Sequence, residues 1–157
     1  MKGIITFIIG LIVGVVLTFV IGTSMLSKKM FIVQESKFGF NETIEQLEKS
    51  VVENEWGIPH RYDLQKTLKD KGGFDVAPVQ VFSLCKPEHA YKILGSEEQR
   101  LVSALMPCRV ALYEKDGKAY FSMLNAGFFS KYLGDGIKDV MVEASSENLQ
   151  ILEPIVK

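Results

Sequence analysis

The sequence predicts an α+β fold: a two-layer sandwich with helices on one face of an antiparallel or mixed sheet, preceded by one N-terminal transmembrane helix. Two observations lead to this prediction. From residue 30 onward, strand-like and helix-like patterns alternate in the order β-α-β-β-α-β-β-α. Before residue 30, the chain is apolar and nearly free of charge. We therefore expect two parts, a membrane anchor over 1–29 and a single domain over 30–157.

The charges separate these two parts and exclude several classes of protein. The chain has 18 Lys and Arg and 19 Asp and Glu residues, and all of the acidic residues lie after residue 29. The domain is thus mildly acidic, without the positive field that nucleic acids require, so we expect no nucleic-acid partner. Apolar residues at 47 % and charged residues at 24 % argue against a disordered chain.

The anchor is predicted from the run Gly3 to Leu26, which contains no charged residue. As a helix it would be about 36 Å long, enough to cross a hydrocarbon core of roughly 30 Å. We expect a transmembrane helix over about 4–26. The alternative is a cleaved signal peptide, which needs a shorter apolar core. Because Lys28 and Lys29 follow a long run, an uncleaved signal-anchor is favoured.

The orientation of this single-pass anchor depends on two opposing arguments. Lys28, Lys29 and Lys37 follow the span and favour a cytoplasmic domain by the positive-inside rule. A short N-terminal tail with Lys2 favours an N-terminus that stays inside. We expect the domain on the outer side of the cell membrane, periplasmic or extracytoplasmic.

The first half of the domain shows four elements. Residues 30–37 are β-rich and predict a strand close to the membrane. A helix is predicted from Asn41, as N-cap, to about Glu55, with apolar residues at helical spacing. Residues 57–63 predict a second strand. Residues 64–71 predict only an irregular helical turn.

The second half begins with a strand predicted over 79–85 and a helix that starts at Pro87. A short helix over 97–105 follows. A hairpin is predicted over 108–124, because Asp116-Gly117 supplies the residues that a tight turn needs. A last helix is predicted to begin near Asp135 and to end before Pro154.

Two segments resemble the signatures of the domain of unknown function family 302. They are Leu84-Cys85-Lys86-Pro87, with Ala90-Tyr91 after it, and Leu105-Met106-Pro107-Cys108-Arg109-Val110. The resemblance extends from about Glu35 to Leu124. Asn125-Ala126 departs from it, because an Asp-Pro-like turn is expected there. The resemblance implies a small α+β sandwich that forms dimers, and it implies no particular reaction.

Cys85 and Cys108 are the candidate reactive thiols. Cys85 precedes the helix that starts at Pro87, whose N-terminus favours a thiolate, and His89 lies one turn further. A redox pair or disulfide requires Cα atoms about 4.4–6.8 Å apart, which only an antiparallel arrangement of the two strands would give. A metal site with His60 and His89 lacks the usual ligand spacings. In the third interpretation, both cysteines are buried small residues.

The candidate ligand-pocket residues are His60, His89 and Asp63. His60 and Asp63 lie on opposite faces of one strand, which makes them a poor acid–base pair. No nucleophile elbow, P-loop or dinucleotide motif is present, so we expect no catalytic residue, no metal and no cofactor.

The leading hypothesis is a non-catalytic, membrane-tethered homodimer that binds a small ligand or a protein partner. The alternative is a thiol-redox or sulfur-handling protein in which Cys85 reacts and Cys108 resolves.

Overall fold

The computed structural model describes residues 3, 7, 10–15, 17–19, 29–106 and 108–157. The strands are β1 (Phe31–Glu35), β2 (Gly57–Asp63), β3 (Val79–Cys85), β4 (Cys108–Lys115) and β5 (Lys118–Leu124). The helices are α1 (Phe40–Glu53), α2 (Leu64–Gly72), α3 (Pro87–Leu94), α4 (Ala126–Phe129) and α5 (Asp135–Leu152). Two 3-10 helices cover Glu98–Leu105 and Ser130–Tyr132.

The five strands form one antiparallel sheet in the order β1-β5-β4-β3-β2, which confirms the predicted α+β class. The β4–β5 hairpin confirms the predicted turn, since Asp116 has φ 53° and Gly117 has φ 70°. Positive φ at both central residues matches the right-handed twist of the two strands.

A main core lies between one face of the sheet and helices α1 and α5. Alternate residues of the central strands, such as Phe82, Leu84, Leu112 and Phe121, point into it and are fully buried. Leu47 of α1 packs in the same core and is also fully buried, at 0 % exposure. A separate small cluster contains Ile93 of α3, Val102, Ile137 and Val140. The small cluster joins α3 and the first 3-10 helix to the N-terminal half of α5.

Helix α2 corrects the predicted order of elements, because 64–72 is a regular helix between β2 and β3. Asp63 Oδ1 accepts a hydrogen bond from the Lys66 amide at 2.8 Å, and Gly73 ends the helix at φ 68°. Helix α2 has no buried residue. Its two caps define it where apolar periodicity is weak.

Helix α1 corrects the predicted cap. It begins at Phe40 after Gly39, so Asn41 lies inside the helix and does not cap it. The Thr43 hydroxyl donates to the Gly39 carbonyl at 2.7 Å. At the other end of the domain, α5 ends at Leu152, before Pro154 as predicted.

The predicted anchor over 4–26 falls largely outside the described residues. Within the part of the chain that is described, no helix combines the length and the apolar character needed to cross a membrane.

Candidate functional site

Helix α5 carries the candidate site, because its inward side faces two adjoining cavities. The large cavity has a volume of about 330 Å³ and lies between α5, α4 and the ends of β4 and β5. The small cavity has a volume of about 50 Å³ and lies between α5 and α3. Both cavities are lined by Leu105, Cys108, Ala126 and Met141, so these residues form the wall between them.

The large cavity is mainly apolar, and its few polar lining residues come from both β4, which contributes Arg109, and α5. Asn148 is 2 % exposed, and its side-chain oxygen Oδ1 has no hydrogen-bond partner among the described residues. Ser145 lies three residues earlier on the same helix and also lines the cavity. The apolar walls include Val110, Met123 and Phe129. The cavity therefore combines apolar walls with a buried acceptor that lacks a donor.

A polar cluster lies at the small cavity, around the carboxylate of Glu147. Glu147 Oε2 accepts hydrogen bonds from Trp56 Nε1 at 2.7 Å and Lys86 Nζ at 2.8 Å, and Oε1 lies 2.9 Å from His89 Nε2. Burial opposes ionisation of Glu147, but the hydrogen bonds from Lys86, Trp56 and His89 outweigh it and lower its pKa to about 2. The carboxylate is thus ionised at neutral pH.

His89 is the one predicted pocket residue that lies in this site. It is buried on α3, between Trp56 and Glu147, with ring centroids of His89 and Trp56 5.7 Å apart. Its second nitrogen, Nδ1, lies 3.7 Å from Glu143 Oε2 and forms no hydrogen bond. Glu143 Oε2 also forms an ion pair with Lys92 Nζ, which donates a hydrogen bond to it at 3.0 Å.

The other two predicted pocket residues lie elsewhere. His60 is exposed on β2, where its ring is 6.2 Å from that of Tyr62. Asp63 caps helix α2 and accepts from Gln80 at 3.4 Å. His60 and Asp63 belong to the edge strand β2 and do not line either cavity beside α5, so their role as ligand-pocket residues stays a prediction.

Cys85 and Cys108 lie at the adjoining ends of two antiparallel strands. Leu84 is paired with Cys108 in the register of β3 and β4, and both cysteines line the small cavity. Both are free thiols. Burial raises the pKa of Cys85, with the Glu88 carboxylate adding to the effect, and burial likewise raises the pKa of Cys108. This direction is opposite to that expected from the helix N-terminus beside Cys85.

The sequence reasoning missed Trp56, Glu143, Glu147 and Asn148. Glu143 and Glu147 are spaced by one helical turn, which places them on one side of α5. That spacing alone gave no sign of His89, which is 58 positions from Glu147.

Comparison with known proteins agrees with this fold. The family model described as Domain of unknown function DUF302 matches residues 32–155. The chain belongs to this family. DUF302 is also the family of a similar crystal structure, an uncharacterized conserved protein from Bacillus stearothermophilus, with 23 % identity and a TM-score of 0.71. The match covers 79 % of this chain and 96 % of that one, and at this identity it shows the fold alone. No curated protein matches the chain.

Proposed function

We propose that this DUF302 protein is a membrane-anchored module that binds a small, mainly apolar ligand in the large cavity. The observation that carries the proposal is an apolar space of about 330 Å³ beside the unpartnered Oδ1 of Asn148. This volume lies within the roughly 300–1,000 Å³ that small-molecule pockets occupy. Because an unsatisfied buried acceptor costs about 1–3 kcal/mol, the ligand should carry one hydrogen-bond donor.

A matched pair of probes tests this ligand class. We expect 2-naphthol, an apolar ring system with one hydroxyl donor, to bind the full chain in detergent more tightly than 2-methoxynaphthalene, which lacks the donor. The expected preference is about fivefold to tenfold, the value of one hydrogen bond. Fluorescence titration measures both affinities. The Asn148→Leu variant should bind the two probes equally.

A cavity-filling variant locates the binding. Ser145→Leu extends an apolar side chain into the large cavity and should abolish binding of 2-naphthol. Ser146→Leu is the matched control, because Ser146 is exposed on the same helix and should leave binding unchanged. Equal binding of 2-naphthol by Ser145→Leu and Ser146→Leu, or no binding of either probe to the unaltered chain, would refute the proposal.

Anchoring by the N-terminal segment is supported by its described residues. Residues 10–15 and 17–19 are helical, and apolar side chains such as Leu11, Val15 and Phe19 are more than half exposed. A lipid environment would cover them. Fusion of a reporter after Lys157 tests the outward orientation: alkaline phosphatase should be active and a fluorescent protein dark. The reverse pattern would place the domain inside the cell.

Homodimerisation is supported by the exposed edge of the sheet. On β1, Phe31 and Val33 are about half exposed at 50 % and 52 %, and Leu124 opposite Phe31 is 47 % exposed. Residues 155–157 bond to the far end of this edge, and no described strand lies beyond Phe31–Gln34. Such an open edge can pair with a second copy. Val33→Lys should shift the sedimenting species to monomer, whereas Val52→Lys, on exposed α1 surface, should not.

The thiol-redox alternative receives less support. The strand pairing brings Cys85 and Cys108 to adjoining positions, which favours it. Burial, however, raises the pKa of both thiols and so disfavours the reactive thiolate. Labelling with a maleimide across pH separates the hypotheses: reaction only after unfolding would eliminate the redox role.

A further inference from the structure

The buried ring of His89 lies between two carboxylates, but only one of its two nitrogens forms a hydrogen bond. Its side chain is 8 % exposed, and the structure gives its two nitrogens different neighbours. Nε2 lies 2.9 Å from Glu147 Oε1, whereas Nδ1 lies 3.7 Å from Glu143 Oε2 without a hydrogen bond. These contacts define which nitrogen carries the proton.

The proton of the neutral ring belongs on Nε2. The other oxygen of Glu147, Oε2, accepts from Trp56 Nε1 and Lys86 Nζ, two groups that can only donate, so the carboxylate is the acceptor and Nε2 donates to Oε1. Nδ1 then presents a lone pair toward Glu143, which also presents lone pairs. The buried Nδ1 has no donor, and the oxygen that it faces, Oε2 of the half-exposed Glu143, already accepts from the Lys92 ammonium at 3.0 Å, so the space beside Nδ1 suits a cation.

We propose that a divalent metal ion of the zinc type binds between His89 Nδ1 and the carboxylate of Glu143. Zinc bonds of roughly 2.0–2.2 Å at a tetrahedral angle place two ligand atoms about 3.4 Å apart, close to the separation seen here. His89, Glu143 and Glu147 each offer a ligand atom within 4.8 Å of the others. Water completes the coordination on the side of Glu143, which is half exposed.

Glu147 orients His89, the side chain that binds the metal in this site. Histidine ligands of metals commonly donate their other ring N–H to a carboxylate, which fixes the tautomer and makes the coordinating nitrogen more basic. Glu147 makes that contact with His89 and is itself fixed by Trp56 and Lys86. The histidine is thus oriented for a metal by Glu147 of α5, which is held by one residue that follows α1 and one residue that precedes α3.

Lys92 is the competitor of the metal. Its ammonium lies 3.0 Å from Glu143 Oε2, and its side chain is 50 % exposed on α3. A metal ion would displace this ammonium into water at little cost, because exposed ion pairs contribute little stability. Removal of the ammonium should therefore tighten metal binding, a result that a purely structural ion pair does not predict.

Titration of the full chain in detergent with Zn²⁺, and with Co²⁺ as a spectroscopic probe, tests the site. We expect a saturable calorimetric signal for Zn²⁺ and a Co²⁺ absorption band typical of nitrogen and oxygen ligands. Glu143→Gln and His89→Gln should each weaken binding by at least ~10-fold, and Lys92→Met should strengthen it. Asp139→Asn is the matched control, since Asp139 is exposed one turn earlier on α5 and should leave binding unchanged.

Nitrogen NMR of the histidine rings gives a second readout that does not depend on folding of the His89 variant. Zn²⁺ should shift the Nδ1 resonance of His89 while Nε2 keeps its proton. The proposal is overturned if Zn²⁺ binds equally well to Glu143→Gln, if no binding occurs, or if the metal leaves the Nδ1 resonance unchanged. Each of these outcomes leaves the apolar-ligand proposal standing, because the large cavity contains neither His89 nor Glu143.

Discussion

The main core and the small cluster are built differently, although helix α5 takes part in both. The main core is backed by the paired strands of the sheet, and its central residues, such as Leu47 and Leu112, are fully buried. The small cluster is formed by a short helix, a 3-10 helix and the start of α5, and both cavities lie beside it. The comparison shows that the closely packed part of this fold lies over the middle of the sheet, and that the open space lies at the ends of the strands, where the short helices meet α5.

The largest effect is expected from breaking the main core. Leu47→Ala should lower the free energy of unfolding by about 3–4 kcal/mol, because it leaves a cavity among residues that the sheet holds in place. Denaturation of the full chain in detergent, followed by Trp56 fluorescence, measures the change. A loss below about 1 kcal/mol would contradict the close packing of this core.

A smaller effect is expected in the small cluster. Val102→Ala should lower the free energy of unfolding by about 1–2 kcal/mol, because valine loses fewer atoms than leucine and because Val102, although buried, packs only against helices, which can close part of the space. The same denaturation experiment applies. If Val102→Ala costs as much as Leu47→Ala, the two regions are equally rigid and the comparison fails.

The polar cluster around Glu147 predicts that the stability of the fold depends on pH. Folding lowers the pKa of Glu147 from 4.5 to about 2, so the unfolded chain binds the proton first as the pH falls. The contribution of Glu147 to stability is complete above about pH 4.5 and is lost as the pH falls toward 2. Thermal melts across this range should fall more steeply for the unaltered chain than for Glu147→Gln. Parallel curves would show that the hydrogen bonds of Glu147 do not stabilise its charged form.

The smallest effect on stability is expected from breaking an exposed ion pair between α1 and the edge strand β2. Glu48 and Arg61 form an ion pair of 3.0 Å, in which the side chains are 49 % and 41 % exposed. Glu48→Gln should change the free energy of unfolding by less than about 0.5 kcal/mol, because water and salt screen such pairs. A change above about 1 kcal/mol in the denaturation experiment would show that this pair belongs to the packed structure.

The sequence by itself determined most of the elements, because their signals are local. Alternation of apolar residues defines β3 to β5, the Asp116-Gly117 pair defines the hairpin turn, and Pro154 limits α5. Helix α2 was underestimated, although its signals, Asp63 at the start and Gly72-Gly73 at the end, are visible in the sequence. Weak apolar periodicity hid it, since none of its residues is buried.

Only the tertiary structure decided the candidate site. His89 meets Glu147 across 58 positions, and Cys108 lies opposite Leu84 because β3 and β4 run antiparallel. No local pattern encodes these contacts, because they depend on how α5 lies across the sheet. The open space beside Asn148 is likewise a product of packing: a sequence shows which residues are apolar, but the volume left between them depends on how the helices and strands come together.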